Sequence, residues 1–160
     1  YRAIPGTPNL QHRIGGLEKH SEKGSISTDP ENHEVMIKTR LQKIKNVPVP
    51  DVKIEGDADG NLLVVGWGST YGHLISAVNQ LNSEGKKIAL AQFNYLFPLP
   101  KNTEEVLHRY EKIVVCELNT GQFARYLRAR NNGIAMLQYN KVQGQPFTVS
   151  ELVEHIRTLC

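Results

Sequence analysis

The amino-acid sequence predicts an α/β protein, a three-layer α/β/α sandwich around a mostly parallel sheet. Short apolar runs with the character of buried strands alternate along the chain with amphipathic runs of helical spacing. The strand-like runs are apolar on both faces, which is typical of parallel strands covered by helices on each side. Leu62–Trp67 is such a run, and it leads through a glycine-rich turn into a helix, as at the start of a βαβ unit.

Length, charge and cysteine content narrow the class of protein. A chain of 160 residues suffices for one domain with a sizeable core and an additional arm. The net charge of +3 comes from dispersed lysines and arginines, so we expect no nucleic-acid-binding face. Cys116 and Cys160 lack a metal-binding spacing, and Cys116 is expected to be a buried, unreactive thiol in a reducing, cytoplasmic protein. No run is long enough to predict a membrane span.

The first 28 residues contain prolines and glycines but no periodicity of their own. Such a segment is either a flexible linker or an arm that docks on another domain. If it docks, Ile4, Leu10, Ile14 and Leu17 are the expected anchors. Because the chain starts at Tyr1 and runs directly into this segment, we interpret it as a piece of a longer polypeptide.

A helix and a brief strand are predicted next. Asp29 is a typical N-cap before Pro30, and the apolar spacing predicts an amphipathic helix over Glu31–Lys45. Val52–Glu55 is a short strand candidate without a crossover helix after it. We therefore expect this strand at an edge of the sheet, where an antiparallel orientation is open to it. The acidic cluster that follows, Gly56–Asn61, lacks the closing ligands of a calcium loop and predicts a turn.

The rest of the chain alternates strands with helices. Four helices are predicted. The first follows the Gly66–Gly72 turn, the second is capped by Asn102 or Thr103, and the third starts in the Asn119–Gln122 segment. The fourth starts at a capping box formed by Thr148 and Glu151. Phe147 and Leu152 are spaced as the hydrophobic staple of that last helix. The predicted central and final strands are Leu62–Trp67, Lys87–Gln92, Ile113–Leu118 and Ile134–Gln138.

The first candidate site is the turn after the first central strand, with Gly66, Gly68, Ser69 and Thr70. Its glycine spacing is close to a dinucleotide-binding motif, but the second strand ends in Gln-Phe-Asn and offers no acid for a ribose. Trp67 also places a large side chain where the backbone must approach a pyrophosphate. Two interpretations stay open: hydroxyls and backbone amides that hold a phosphate or carboxylate, or glycines that only permit a tight turn and close packing.

The second candidate site is the end of the third central strand, with Glu117, Asn119, Gly121 and Gln122. A carboxylate in a buried strand must be paired or must reach the sheet edge where open α/β sheets bind ligands. The alternative is a helix cap beside a surface arginine face. No catalytic constellation and no metal-ligand spacing are recognisable among the histidines and cysteines. The arginines that could meet an anion here are Arg125, Arg128 and Arg130.

Several short motifs follow one another over nearly the whole chain. They are Ala3–Pro8, His12–Glu18, Asp29–His33 with Arg40 and Lys43, Val65–Gly72, Phe97–Pro100, Glu117–Gln122 and Lys141–Phe147. In this order they resemble the alpha subunits of 2-oxoacid:ferredoxin oxidoreductases, most of all the 2-oxoglutarate type, 2-oxoglutarate synthase. The resemblance implies a fold like the transketolase C-terminal domain, five strands with the first antiparallel at the edge. It also implies that residues 1–28 form an interdomain arm from a preceding pyrimidine-binding domain and 29–160 the α/β domain.

The resemblance further implies the parent reaction, in which a 2-oxoacid and CoA give acyl-CoA, CO2 and reduced ferredoxin. The family uses thiamin diphosphate, Mg2+ and an iron–sulfur cluster, which lie outside this segment, so no catalytic residue and no cofactor site are expected here. Its implied partners are the upstream pyrimidine-binding domain, a beta subunit or a second alpha subunit, and indirectly ferredoxin. The local role is then assembly. The alternative is an anion-binding module in which the Gly66–Gly72 turn holds a phosphate of CoA.

Overall fold

The structure, a computed structural model, describes residues 3–13 and 15–160. The expected anchor Ile14 lies outside the described residues. The chain forms two compact units, residues 1–47 and residues 48–160. We call them unit 1 and unit 2 and describe each by itself.

The described residues of unit 1 include one helix, α1 (Pro30–Lys45), and a short hairpin before it. The N-cap Asp29 accepts a hydrogen bond from the backbone N–H of Asn32 at 2.7 Å, as the sequence predicts. In the hairpin, Lys19 and Ile26 form an antiparallel bridge around a turn at Gly24, whose φ of +72° suits glycine. The segment before α1 therefore has local order that its lack of periodicity did not predict.

Unit 2 is built around a five-stranded sheet in the order β1-β3-β2-β4-β5. Its strands are β1 (Ile54–Gly56), β2 (Leu62–Trp67), β3 (Ile88–Phe93), β4 (Lys112–Glu117) and β5 (Leu137–Asn140). β1 pairs with β3 in the antiparallel direction at one edge, and all other pairings are parallel. This confirms the predicted mixed sheet with an antiparallel edge strand.

Two helices cover each face of the sheet, which confirms the three-layer arrangement. The helices are α2 (Tyr71–Ser83), α3 (Thr103–His108), α4 (Gln122–Arg130) and α5 (Val149–Arg157). Alternate residues of each strand point to opposite faces, so Leu63 and Val65 pack against α3 and α4, whereas Leu62 and Val64 pack against α2 and α5. All four of these side chains are buried. Each face thus has its own apolar core.

Several details of the predicted elements differ from the structure. β1 covers Ile54–Gly56 and not Val52–Glu55, and β3 and β4 are each displaced by one residue from their predicted bounds. The last strand begins at Leu137 and not at Ile134, because Ile134 and Met136 pack into the α3–α4 core as part of a loop. Asn102 stands at the N-cap position of α3, but its side chain makes no capping bond. Its amide instead donates to the carbonyl of Val52 and accepts from the N–H of Val52, each at 2.9 Å, and so fixes the segment before β1.

The predicted capping box at the start of α5 is present. The Thr148 hydroxyl accepts from the N–H of Glu151 at 3.2 Å, and the Glu151 carboxylate accepts from the N–H of Thr148 at 2.7 Å. The ammonium of Lys141 donates to both oxygens of the same carboxylate at 2.9 Å. Phe147 and Leu152, the predicted staple, are both buried in the core under α5.

The free energy of unfolding of unit 2 depends on pH through the carboxylate of Glu151. The backbone N–H of Thr148, and next the ammonium of Lys141, lower the pKa of Glu151 from 4.5 to about 2. Because the pKa is lower in the folded state, the carboxylate stabilises the fold above pH 4.5, and this contribution is lost as the pH falls toward 2.

Urea unfolding as a function of pH checks this prediction. We expect Glu151→Gln to flatten the decline in unfolding free energy over that acidic range. The control Glu154→Gln lies on the same helix at an exposed position and should leave the decline as it is. Identical declines in the wild type and Glu151→Gln would contradict the prediction.

Candidate functional site

Both candidate sites lie at the carboxyl edge of the sheet, at the ends of the neighbouring strands β2 and β4. The chain leaves β2 for α2 on one face and leaves β4 for α4 on the other. The gap between these two strand ends is therefore the topological switch point, where open α/β sheets usually bind ligands.

The start of α4 is capped by two side chains of the second candidate site. The first amide groups of a helix have no partner within the helix. The side-chain oxygen of Asn119 accepts from the N–H groups of Gly121 and Gln122 at 2.7 and 3.0 Å. The carboxylate of Glu117 accepts from the N–H groups of Phe123 and Ala124 at 2.8 and 3.0 Å. All four amide groups are thus satisfied by the chain itself.

Glu117 is completely buried, and two further donors complete its surroundings. The indole N–H of Trp67 reaches its Oε1 atom at 3.2 Å, and the side-chain amide of Asn119 reaches the same atom at 3.1 Å. A buried carboxylate needs this number of donors, because it has given up its hydration. The place at a helix N-terminus where a ligand anion would bind is therefore filled by this carboxylate.

Gly121 makes the close approach of α4 and β5 possible. It has a φ of +87°, and a Cβ atom built on it would lie 2.0 Å from Oε1 of Gln138. The structure thus brings together Glu117, Asn119, Gly121 and Gln122, the residues that the sequence singled out. Their geometry matches the helix-cap interpretation.

Trp67 fills the switch point. Its ring packs edge-on against Phe123 with a centroid distance of 6.4 Å, and Phe123 packs in the same way on Phe93 at 5.1 Å. Together with its bond to Glu117, this places an indole in the gap between β2 and β4. The sequence marked Trp67 only as an obstacle to a pyrophosphate, and its contact with the second candidate site was missed.

The polar groups of the first candidate site are partly used within the turn. The Thr70 hydroxyl donates to the carbonyl of Trp67 at 2.8 Å and accepts from the N–H of Trp67 at 3.2 Å. The carbonyl of Gly68 accepts from the side chain of Gln92 at 3.1 Å. Ser69 is exposed, so its hydroxyl faces solvent beside the start of α2.

Gly66 has a packing reason to be glycine. A Cβ atom at this position would lie 2.2 Å from a methyl group of Leu74 and 2.9 Å from the Thr70 hydroxyl. The absence of a side chain lets α2 pack directly on β2. By contrast, a Cβ atom on Gly72 or Gly68 would meet no atom within 4 Å.

The three arginines near the second site do not converge on one point. Arg128 donates to the carbonyl of Met136, and Arg125 donates to the Thr120 hydroxyl at 3.4 Å. The guanidinium of Arg130 lies over the ring of Tyr126 at 5.1 Å and near that of Phe97 at 6.0 Å.

Three exposed aromatic side chains and a groove lie toward the carboxyl edge of the sheet. Phe97 has 59% of its surface exposed, and Tyr71 and Tyr95 are also exposed. Tyr71 donates to Glu55 at 2.9 Å, and this bond raises the pKa of the Tyr71 hydroxyl. The groove has a volume of about 680 Å3, and its lining includes both tyrosines, Glu55, Lys53 and Gln92. Exposed aromatic side chains are typical of protein interfaces.

The cysteines do not fit an iron–sulfur cluster. Such clusters generally need four thiolates, whereas this chain has two cysteines. Cys116 is buried in β4, and burial raises the pKa of its thiol to about 12, so it stays protonated. Among residues 3–13 and 15–160, no group of three or more histidine, cysteine or acidic side chains is placed to hold a metal ion.

Taken together, these features define an α/β sandwich domain whose switch point is filled by its own tryptophan and carboxylate. Residues 58–152 match the family model described as pyruvate:ferredoxin oxidoreductase core domain II. The chain belongs to this family.

Two curated relatives extend the similarity beyond the domain. The chain is 44% identical over 156 residues to the 2-oxoglutarate oxidoreductase subunit KorA of Mycobacterium tuberculosis, covering 97% of this chain and 24% of the relative. It is 26% identical over 142 residues to the 2-oxoglutarate synthase subunit KorA of Methanothermobacter marburgensis, covering 86% of this chain and 38% of the relative. The resemblance to 2-oxoacid:ferredoxin oxidoreductase alpha subunits is thereby confirmed.

One solved structure shares the fold. The 2-oxoglutarate:ferredoxin oxidoreductase of Magnetococcus marinus, with 2-oxoglutarate, coenzyme A and succinyl-CoA bound, matches with a TM-score of 0.79 and 30% identity. The match covers 98% of this chain and 28% of that one. The chain thus spans only about a quarter of the length of this structure's chain and of the Mycobacterium tuberculosis relative. No helix among the described residues is long and apolar enough to cross a membrane.

Substitution of Glu117 tests the helix-cap interpretation. Glu117→Gln keeps the side-chain size but turns an NH2 group toward backbone donors, so we expect unfolding free energy to fall by about 1–3 kcal/mol. Glu111→Gln, at an exposed position just before β4, is the control and should change stability little. Urea unfolding measures both, and equal stability of the two variants would contradict the interpretation.

Proposed function

We propose that this segment is the C-terminal assembly domain of the alpha subunit of a thiamin-dependent 2-oxoglutarate:ferredoxin oxidoreductase. The parent enzyme would convert a 2-oxoacid and CoA to acyl-CoA and CO2 and pass two electrons to ferredoxin. The observation that carries this proposal is the 44% identity to a 2-oxoglutarate oxidoreductase subunit over 97% of the chain. The ligands named for the solved relative, 2-oxoglutarate and coenzyme A, support the same substrate pair.

Within that enzyme, we assign this segment a structural task. Residues 1–28 would connect a preceding pyrimidine-binding domain to the α/β domain, residues 29–160. Thiamin diphosphate, Mg2+ and the iron–sulfur cluster would be held elsewhere in the complex, by the upstream domain and by a beta subunit. The exposed aromatic side chains Tyr71, Tyr95 and Phe97 support an assembly role, because such side chains are enriched in interfaces.

Activity of the complete enzyme tests this proposal. The full-length subunit, co-expressed with its partner subunits, should reduce ferredoxin in a reaction that needs both 2-oxoglutarate and CoA. Pyruvate in place of 2-oxoglutarate should give a much lower kcat/KM. The 160-residue segment should be inactive under the same conditions. A preference for pyruvate would contradict the proposed substrate, and activity of the segment alone would contradict the assembly role.

For the two candidate sites we also propose structural roles. The Thr70 hydroxyl is engaged with Trp67, and Glu117 caps α4, so neither site has all its polar groups available for a ligand. The competing function is a module in which the Gly66–Gly72 turn, with Gly68 and Ser69, holds a phosphate of CoA. The coenzyme A bound to the solved relative is the observation that favours this second function.

Calorimetric titration of CoA into the segment distinguishes the two functions. If the turn is structural, we expect no saturable heat at millimolar CoA. Saturable binding that is lost in Ser69→Ala with Thr70→Ala would support the ligand-binding module instead. Ser83→Ala is the matched control. Ser83 is exposed at the far end of α2, the helix that follows the turn, and this variant should behave as the wild type.

A further inference from the structure

Unit 1 has almost no apolar interior. Among its described residues, 3–13 and 15–47, Asn32 is the one buried side chain, and it is polar. Several of its large apolar side chains are strongly exposed, including Leu17 at 66%, Ile26 at 62% and Leu41 at 49%. Ile37 is exposed one helical turn before Leu41, on the same side of α1. Apolar burial within this unit therefore contributes little to its order.

Polar contacts define the shape of unit 1 instead. The side chain of Asn32 accepts from the N–H of Ser21 at 2.8 Å and donates to the carbonyl of Lys19 at 3.1 Å. The carboxylate of Glu18 pairs with Arg40 at 2.9 Å and with the His33 ring at 3.0 Å. The Arg40 bond comes first among the causes that lower the pKa of Glu18. These contacts hold the hairpin against α1.

Such contacts orient a segment but contribute little to its stability. Ion pairs that are open to solvent are worth little, whereas fixing the backbone of each residue costs conformational entropy. A unit of this size normally needs a buried apolar core. We therefore expect the exposed apolar side chains of unit 1 to be buried against something outside it. The polar contacts would present these side chains in the correct arrangement.

We propose that unit 1 is a clasp, and that its exposed apolar side chains bind the part of the same polypeptide that lies outside this segment. These side chains, Leu17, Ile26, Ile37 and Leu41, are called the clasp surface. The inference rests on the proposed function in one respect, that the segment belongs to a longer alpha subunit. The binding partner would carry an apolar patch that is complementary to these four side chains.

The lengths of the relatives favour the same polypeptide as the partner. About three quarters of the long relative and over half of the shorter one lie outside the aligned region. Unit 2 has 113 residues, so an alignment that covers 86% of this chain must extend into unit 1 in the shorter relative as well. Unit 1 thus accompanies the domain in chains of different length. A covalently linked partner also has a high effective concentration, which a weak apolar surface needs.

Hydrogen exchange measured by mass spectrometry tests the clasp. The amides of α1 are compared in the full-length subunit and in the 160-residue segment, both without substrate. We expect exchange in α1 to be slower by about tenfold or more in the full-length subunit, because burial of the clasp surface suppresses local opening. Equal exchange in the two proteins would overturn the proposal. This comparison needs no variant and no activity, so it stands even if the proposed enzymatic function fails.

Two matched variants identify the surface. Leu41→Glu places a charge on the clasp surface, and Thr39→Glu places the same charge on an exposed position about 160° around the axis of α1 from Leu41. In the full-length subunit, Leu41→Glu should abolish the slow exchange, whereas Thr39→Glu should preserve it. In the 160-residue segment, the two variants should exchange alike. Equal effects of both charges in the full-length subunit would overturn the assignment of the surface.

The other possible partners give different results in the same experiment. If a second copy of the chain covers the surface, exchange in α1 of the segment will slow with rising protein concentration, and light scattering will show a dimer. If another subunit covers it, the slow exchange will appear only after that subunit is added to the full-length alpha subunit. Either result would overturn the proposal that the polypeptide binds its own clasp.

Discussion

The buried carboxylate of Glu117 is the interaction on which the carboxyl edge of this domain depends. A carboxylate at the end of a central strand loses its hydration, and only a full set of donors makes that tolerable. The donors come from the backbone of α4, from Asn119 and from the indole of Trp67 on the neighbouring strand. One side chain thereby joins β4, β2 and α4, and the rest of the edge is arranged around it.

This arrangement explains how a fold that often binds nucleotides can serve another purpose. In a typical doubly wound sheet, the gap at the switch point is open and a helix N-terminus faces it. Here the indole of Trp67 occupies the gap, and the N-terminus of α4 already has its anion. The first glycine of the turn, Gly66, is then explained by a contact distance, since any side chain on it would collide with Leu74. This close packing of α2 on β2 is the basis of the structural role that we propose for the turn.

The sequence was most informative where a segment is buried on both sides. β2 has the predicted bounds, because every residue from Leu62 to Gly66 is apolar or small and buried. β5 lies at an edge and is half exposed, so its apolar pattern is weak and Ile134 was wrongly included in it. The role of Asn102 was not predictable either, because its bonds to Val52 span 50 residues of sequence. Local patterns carry no information about contacts of that length.

The same limit applies to the candidate sites. The residues of the second site could be listed from the sequence, because a carboxylate at a strand end followed by Asn and Gly indicates a helix start. The bond between Trp67 and Glu117 could not, since it requires knowing that β2 and β4 are neighbours. In unit 1, Asn32 looked like any polar residue in the first turn of a helix. Its importance depends on the hairpin that folds back over it.

The position of Trp67 has one further consequence. It is the only tryptophan in the chain, and it lies half-buried at the carboxyl edge of the sheet. Its indole N–H donates a hydrogen bond to the carboxylate of Glu117. The emission of an indole responds to nearby charge and to water. The domain therefore contains an intrinsic fluorophore beside the buried carboxylate of Glu117. Excitation at the red edge of the absorption band, where the six tyrosines do not absorb, reports on this one environment without an attached label.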